Sequence, residues 1–195
     1  MKAFTLRHPW AFAIAHLGKT VENRDWDERL ADLMGVPQLT GELIAIHGGT
    51  APQRPKSGKH WSQLAATNLW RQHCEDLQAV HQVLDGELPD PAAQFLAQRG
   101  VTTLTPEAFI LPGIVAVATL SGTTRSSRDP WAAQGQLHLL LSDVIALPEP
   151  VQVAGAQGFW TVPEVIEAEV VRRYRAAIDT RPPQHGHLTA QEWLA

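Results

Sequence analysis

The chain reads as an α+β protein in which β-rich segments flank a long helical block and an amphipathic helix follows the last of them. Three stretches carry that reading. Ile114 to Leu120 is a near-continuous run of β-branched and apolar residues, as in a strand buried on both faces. Trp70, Cys74, Leu77, Val80, His81 and Leu84 recur at three- and four-residue steps, which predicts a helix over 60–84. Val162, Ile166, Val170 and Tyr174 repeat at four-residue steps behind Thr161 and Glu164, a capping-box pair. At 195 residues the length suits one domain. We divide it into a core of 1–50 and 109–178, a helical insertion of 51–108 and a C-terminal tail of 179–195.

In chain order, Lys2 to Leu6 alternates as an opening strand, and Arg7-His8-Pro9 breaks it before a short apolar helix from Trp10 to Leu17. Gly18 suits the left-handed residue that ends such a helix. A short strand follows over 19–24, then a loop with one helical turn at 29–34. Glu42 to His47 is a second β-rich segment, and Gly48-Gly49 lets its end approach another part of the chain closely. Thr50 to Lys59 has the Pro, Gly, Ser and cation content of an exposed connection. Helices are predicted over 60–84 and 90–98, with a short turn at Thr105-Pro106-Glu107. Ser121 to Pro130 is a polar loop, Gln136 to Leu147 a further strand, and Pro148 and Pro150 mark its exit. Phe159 and Trp160 supply a last short strand.

The densest chemistry lies in Gly18-Lys19-Thr20-Val21-Glu22-Asn23-Arg24-Asp25-Trp26. With Val21 facing inward, the period of two puts Thr20, Glu22 and Arg24 on one surface. Lys19 has the other parity, but the turn at Gly18 can re-aim it, so the sequence leaves open whether it meets Glu22. The plain alternative is a solvated ion cluster that contributes little stability. Trp10 is either core or a pocket wall, and His47 either a satisfied structural residue or a ligand contact.

Composition narrows the classes. A net charge of -4 argues against a protein that coats long polyanions. Local basic patches remain at Arg54, Lys56 and Lys59 and at Arg125 and Arg128. The single cysteine, Cys74, forms no internal disulfide and packs as a small hydrophobe, and no apolar run has membrane-spanning length, so a soluble cytoplasmic protein is expected. His185 and His187 lack a further ligand at metal spacing, so no metal site is expected. There is no phosphate loop, paired-cysteine motif or nucleophile elbow, and no cofactor is expected.

Arg7-x-Pro9-Trp10, Lys19-x-x-Glu22-x-Arg24-x-Trp26, Ile46-His47, Pro112 to Val117, Asp129-Pro130-Trp131 and Gly155-x-x-Gly158-Phe159-Trp160 appear in the order of the ASCH family, which the chain resembles. The blocks cover most of the chain outside the helical insertion and the tail. The resemblance implies a PUA-like small β-barrel with flanking helices and a cleft that receives the lysine, glutamate and arginine. Such modules are similar to nucleotide- or RNA-associated proteins, some of them hydrolytic. Trp10, Trp26 and Trp131 would then wall a base, Glu22 and Arg24 would meet its edge, and His47 would join them. Lys19 and the cations Arg54, Lys56, Lys59, Arg125 and Arg128 would meet phosphate.

Three departures matter. Leu17 stands where the family often has glycine, and the helical block is inserted. The resemblance to small amidohydrolases of this type that act on N4-acetylcytidine implies a lysine and, three residues on, a threonine nucleophile, and here that place is Glu22. The first expectation is therefore a module that binds a nucleotide or a base of single-stranded RNA. The alternative is a hydrolase of RNA or a modified nucleoside, of ribonuclease or amidohydrolase type, using Lys19 and Glu22. The insertion, with Trp61 and Trp70, offers either a lid over the cleft or a surface for a protein partner.

Overall fold

The computed structural model describes residues 1–55 and 61–180. Lys56 and Lys59 and the segment from Arg181 onward, with His185 and His187, lie outside the described residues. The described chain is a mixed α+β structure built on one curled, half-barrel sheet. Its strands are β1 (Lys2–Leu6), β2 (Val21–Arg24), β3 (Leu43–Gly48), β4 (Gly113–Thr124), β5 (Leu137–Val151) and β6 (Phe159–Thr161). They run in the order β2-β5-β4-β3-β1-β6, so β2 and β6 are the two edges. The helices are α1 (Trp10–His16), α2 (Glu28–Leu33), α3 (Val36–Leu39), α4 (Trp61–Val83), α5 (Asp90–Gln98) and α6 (Glu164–Asp179).

Strand alternation sorts the side chains onto two faces. Phe4 and Leu6 of β1 and Ile44 and Ile46 of β3 join a core cluster with α1. Val80 of α4 and Ala92 and Leu96 of α5 belong to that same cluster, so the inserted block shares its core. Ala3, Ala45, Ile114 and Val117 form a smaller cluster that Val170 of α6 closes, the register irregularity of β4 after Ile114 letting both of its residues join. Gly48 is needed where β3 ends, because a side-chain carbon there would run into the carbonyl of Leu111.

Several expectations change. Rather than leaving at Pro148, β5 continues to Val151, with an irregular register against β4 between Ala146 and Val151. Its partner on the other side, β2, pairs only with Leu137 to Leu140, so the prolines remove no ladder bond there. No side chain caps α6: Thr161 is paired with Lys2 in the sheet and Pro163 takes the capping position. The polar loop begins later than expected because β4 runs on to Thr124. The buried side of α4 passes through His73, Asp76 and Val80, whereas His81 is exposed and Cys74 and Leu77 are half-buried.

Two buried imidazoles make this core sensitive to acid. His8 donates from Nε2 to the Gly49 carbonyl (3.0 Å) and accepts at Nδ1 from the Leu111 N–H (3.2 Å). His16 stacks on Phe95, with centroids 3.9 Å apart. Burial pushes each down to about 4, helped by Arg99 beside His16 and by His73 and His47 beside His8. As pH falls from 7 towards 4 the unfolded chain takes up two protons that the folded chain refuses, so folding stability drops by about 3 kcal/mol per histidine. Urea denaturation across this range will show the fall, and His16→Leu will reduce its slope.

Candidate functional site

The site starts with a turn. After α1, Gly18 adopts φ +73° and the Lys19 N–H returns to the Ala13 carbonyl at 3.2 Å. That reversal sends the Lys19 side chain inward, where only 1 % of it is exposed. Its ammonium donates to the Val21 carbonyl and lies 3.8 Å from Glu22 Oε2. It also faces two indoles, 5.4 Å from the Trp10 ring centroid and 5.9 Å from that of Trp131. The parity argument holds for β2: Arg24 Nη2 reaches the other oxygen of Glu22, Oε1, at 3.1 Å. The Arg24 guanidinium sits 4.3 Å from the Phe4 centroid and 5.6 Å from that of Trp26. One buried carboxylate thus serves two cations.

Burial dominates the electrostatics. It lowers the Lys19 pKa, against the pull of the Glu22 and Asp129 carboxylates, and Arg24 adds to the lowering. Burial likewise lowers the Arg24 pKa, while Glu22 opposes it. The Arg24 Nε–H is buried and has no acceptor among the described residues.

Side chains between these charges draw in a distant loop. Asn23 donates from Nδ2 to the Trp131 carbonyl (2.8 Å) and accepts at Oδ1 from the Ala133 N–H (2.9 Å). Asp129 accepts the Trp131 N–H (2.8 Å) and the Thr20 hydroxyl (2.9 Å). Trp131 is therefore pinned through both its N–H and its carbonyl, and only 8 % of it is exposed. Trp10 is held from the other side, where its Nε1–H donates to Asp76 Oδ2 at 3.2 Å.

These residues surround one cleft of about 660 Å³. Trp10, Lys19, Glu22, Arg24, Trp26 and Trp131 all line it, together with Arg7 and with Ala79 and Val83 of α4. The helical insertion thus forms part of the wall. His47 is not among them, because it shares parity with Thr5 on the other face of the sheet. There the Thr5 hydroxyl donates to His47 Nδ1 (3.2 Å), and His47 Nε2 donates to the Val153 carbonyl (3.1 Å). Arg125 reaches the Trp26 carbonyl at 2.6 Å from outside the lining, and Arg128 is exposed in the same loop. Arg54 pairs with Glu107 at 3.1 Å and lies over Trp70, away from the cleft. Asn23, Asp76 and Asp129 were not singled out as site residues from the sequence. The signal for Asp76 was a carboxylate at helical spacing between His73 and Val80, on the buried side of α4.

The arrangement offers flat aromatic walls, a shared carboxylate and a half-buried guanidinium, a set suited to a planar polar ligand. Lys19 and Glu22 stand 3.8 Å apart as an ion pair, beyond direct hydrogen-bond contact. In comparison with known proteins, no family model matches the chain and no curated protein is similar to it.

Glu22→Gln removes the charge that both cations need and is expected to lower stability by about 3 kcal/mol in urea denaturation. Adding Lys19→Met should recover part of that loss, since one buried cation then no longer needs a counter-charge. Additive effects would show that the cluster is solvated.

Proposed function

We propose that the cleft binds a planar base, either of a free nucleotide or nucleoside or of single-stranded RNA, as the resemblance to the ASCH family implies. In this reading the curled sheet is a PUA-like barrel left open between β2 and β6, and the cleft lies beside the β2 edge. The observation that carries it is the gathering of three indoles from separate segments around Lys19, Glu22 and Arg24 in one hollow. Its size, about 660 Å³, falls within the range of roughly 300–1,000 Å³ usual for small-molecule sites. Stacking between indoles supplies affinity without selecting one base, and the polar edge supplies orientation. The half-buried Arg24 guanidinium, which lines the cleft, suits an acceptor on the ring edge, and Glu22 suits a donor. Arg125 and Arg128, in the loop that leads to Trp131, suit a phosphate at the rim.

A second reading, hydrolysis of RNA or a modified nucleoside, is favoured by the burial-lowered pKa of Lys19 beside Glu22. Thr20 gives no support as a nucleophile, because its hydroxyl is donated to Asp129 and it does not line the cleft. Binding without turnover is therefore the reading we adopt. The apolar residues that α4 and α5 give to the shared core likewise support the insertion as a wall ahead of a surface for a protein partner.

Titration of the four ribonucleosides, their 5′-monophosphates and short single-stranded oligoribonucleotides, followed by tryptophan fluorescence, tests both readings. Saturable binding is expected, weakened about tenfold to a hundredfold in Trp131→Ala and less in Trp131→Phe. No binding by a folded wild-type protein would end the base-binding proposal. Product formation that vanishes in both Lys19→Met and Glu22→Gln would replace it with the hydrolase.

A further inference from the structure

The inserted helix is hydrogen-bonded to two residues of the cleft, Arg7 and Trp10, through one carboxylate. Asp76, on α4, is only 7 % exposed, and a carboxylate so placed needs donors. It has four. Oδ2 accepts from Arg7 Nε (2.7 Å) and from the Trp10 indole (3.2 Å). Oδ1 accepts from Arg7 Nη2 (3.2 Å) and from Gln72 Nε2, one turn earlier on α4, at 3.1 Å. These bonds fill about all the acceptor positions that a carboxylate offers.

Both partners outside α4 belong to the cleft. Arg7 and Trp10 line it, and the Trp10 ring faces the Lys19 ammonium at 5.4 Å. Ala79 and Val83, which follow Asp76 on α4, complete the same wall. Releasing Asp76 would therefore loosen the ring orientation of Trp10, the direction of Arg7 and the closeness of the α4 wall together. Val80 is 3 % exposed in the main core and keeps α4 attached independently.

We propose that Asp76 is the positioning residue of the cleft: by joining α4 to Arg7 and Trp10 it makes the inserted helix a working wall of the binding site. The proposal rests on the base-binding reading for its ligand and on the hydrogen bonds above for its geometry. Because the same contacts serve wall and site, ligand binding and docking of α4 strengthen each other reciprocally.

The test compares wild type, Asp76→Asn, Asp76→Ala and Trp10→Phe as intact chains. Without ligand, Asp76→Asn should shift the Trp10 indole N–H resonance and speed amide hydrogen exchange along α4 while leaving the sheet protected. With the tightest-binding probe among the ribonucleosides and their 5′-monophosphates, it should weaken affinity about tenfold to a hundredfold. In Asp76→Asn combined with Trp10→Phe the loss should be less than the sum of the two single losses, since both disturb the Trp10–Asp76 bond. An unchanged indole resonance and unchanged exchange in Asp76→Asn would overturn the proposal. So would a loosened α4 with the probe affinity of the folded protein intact, the result a merely structural Asp76 would give. If wild type binds none of the probes while Asp76→Asn still shifts the resonance and the exchange, the base-binding reading fails and the positioning of Trp10 by Asp76 stands.

Discussion

One buried and one half-buried cation share one buried carboxylate, and much of the surrounding structure follows from that. Lys19 and Arg24 each lose water on folding, and Glu22 alone cannot replace it for both. The Val21 carbonyl takes one ammonium proton, and the indole and phenyl faces take the remaining positive field. The Gly18 turn is what makes this reachable. Without the reversal there, the parity of β2 would send Lys19 and Glu22 to opposite faces. Ion pairs of this kind seldom exceed the stability of an apolar replacement, so the cluster is poorly explained as a device for holding the fold together.

The cleft is assembled from segments far apart in the chain because the sheet brings its own edge to them. β2 pairs only with β5, and the loop before β5 carries Trp131 back to β2. Asn23 and Asp129 fix that return through backbone groups, which positions the indole without relying on side-chain packing alone. On the other side α1 sets Trp10 beside Lys19, and α4 closes over it with Asp76. The face that carries His47 is equally ordered, with Trp160 donating to Thr5 and Thr5 to His47, but these bonds are spent within the fold.

The strands and helices were legible where local pattern and tertiary role agree. The apolar run at 114–120 is the interior of β4, and the steps through Val80 belong to α4. The charged stretch was legible too, since a period of two fixes the relation of Glu22 to Arg24 without tertiary knowledge. What sequence reading passed over were polar residues buried by partners distant in sequence. Asp76 and His73 occupy the inward side of α4 because Arg7 and Trp10 serve one and the Pro106 carbonyl serves the other. A scan for apolar periodicity turns the helix the wrong way at those two positions. The prolines of β5 misled for a related reason: whether a missing N–H matters depends on which strand lies alongside, and β2 stops short of them. His47 joins the site only in the family resemblance, whereas its parity with Thr5 puts it on the other face of the sheet.

The same electrostatics constrain what the hollow will accept. A ligand that fills the cleft removes the water near Lys19 and Arg24, and further desolvation lowers the pKa of both unless the ligand brings compensating groups. A purely apolar guest brings none and leaves the Arg24 Nε–H as a buried donor without an acceptor. A guest with hydrogen-bonding groups on its edge can instead meet Glu22 and the Arg24 guanidinium, which line the hollow. A guest bearing a carboxylate would compete with Glu22 for the same two cations. The charge pattern therefore disfavours a purely apolar guest, which strips water from charged groups without replacing it.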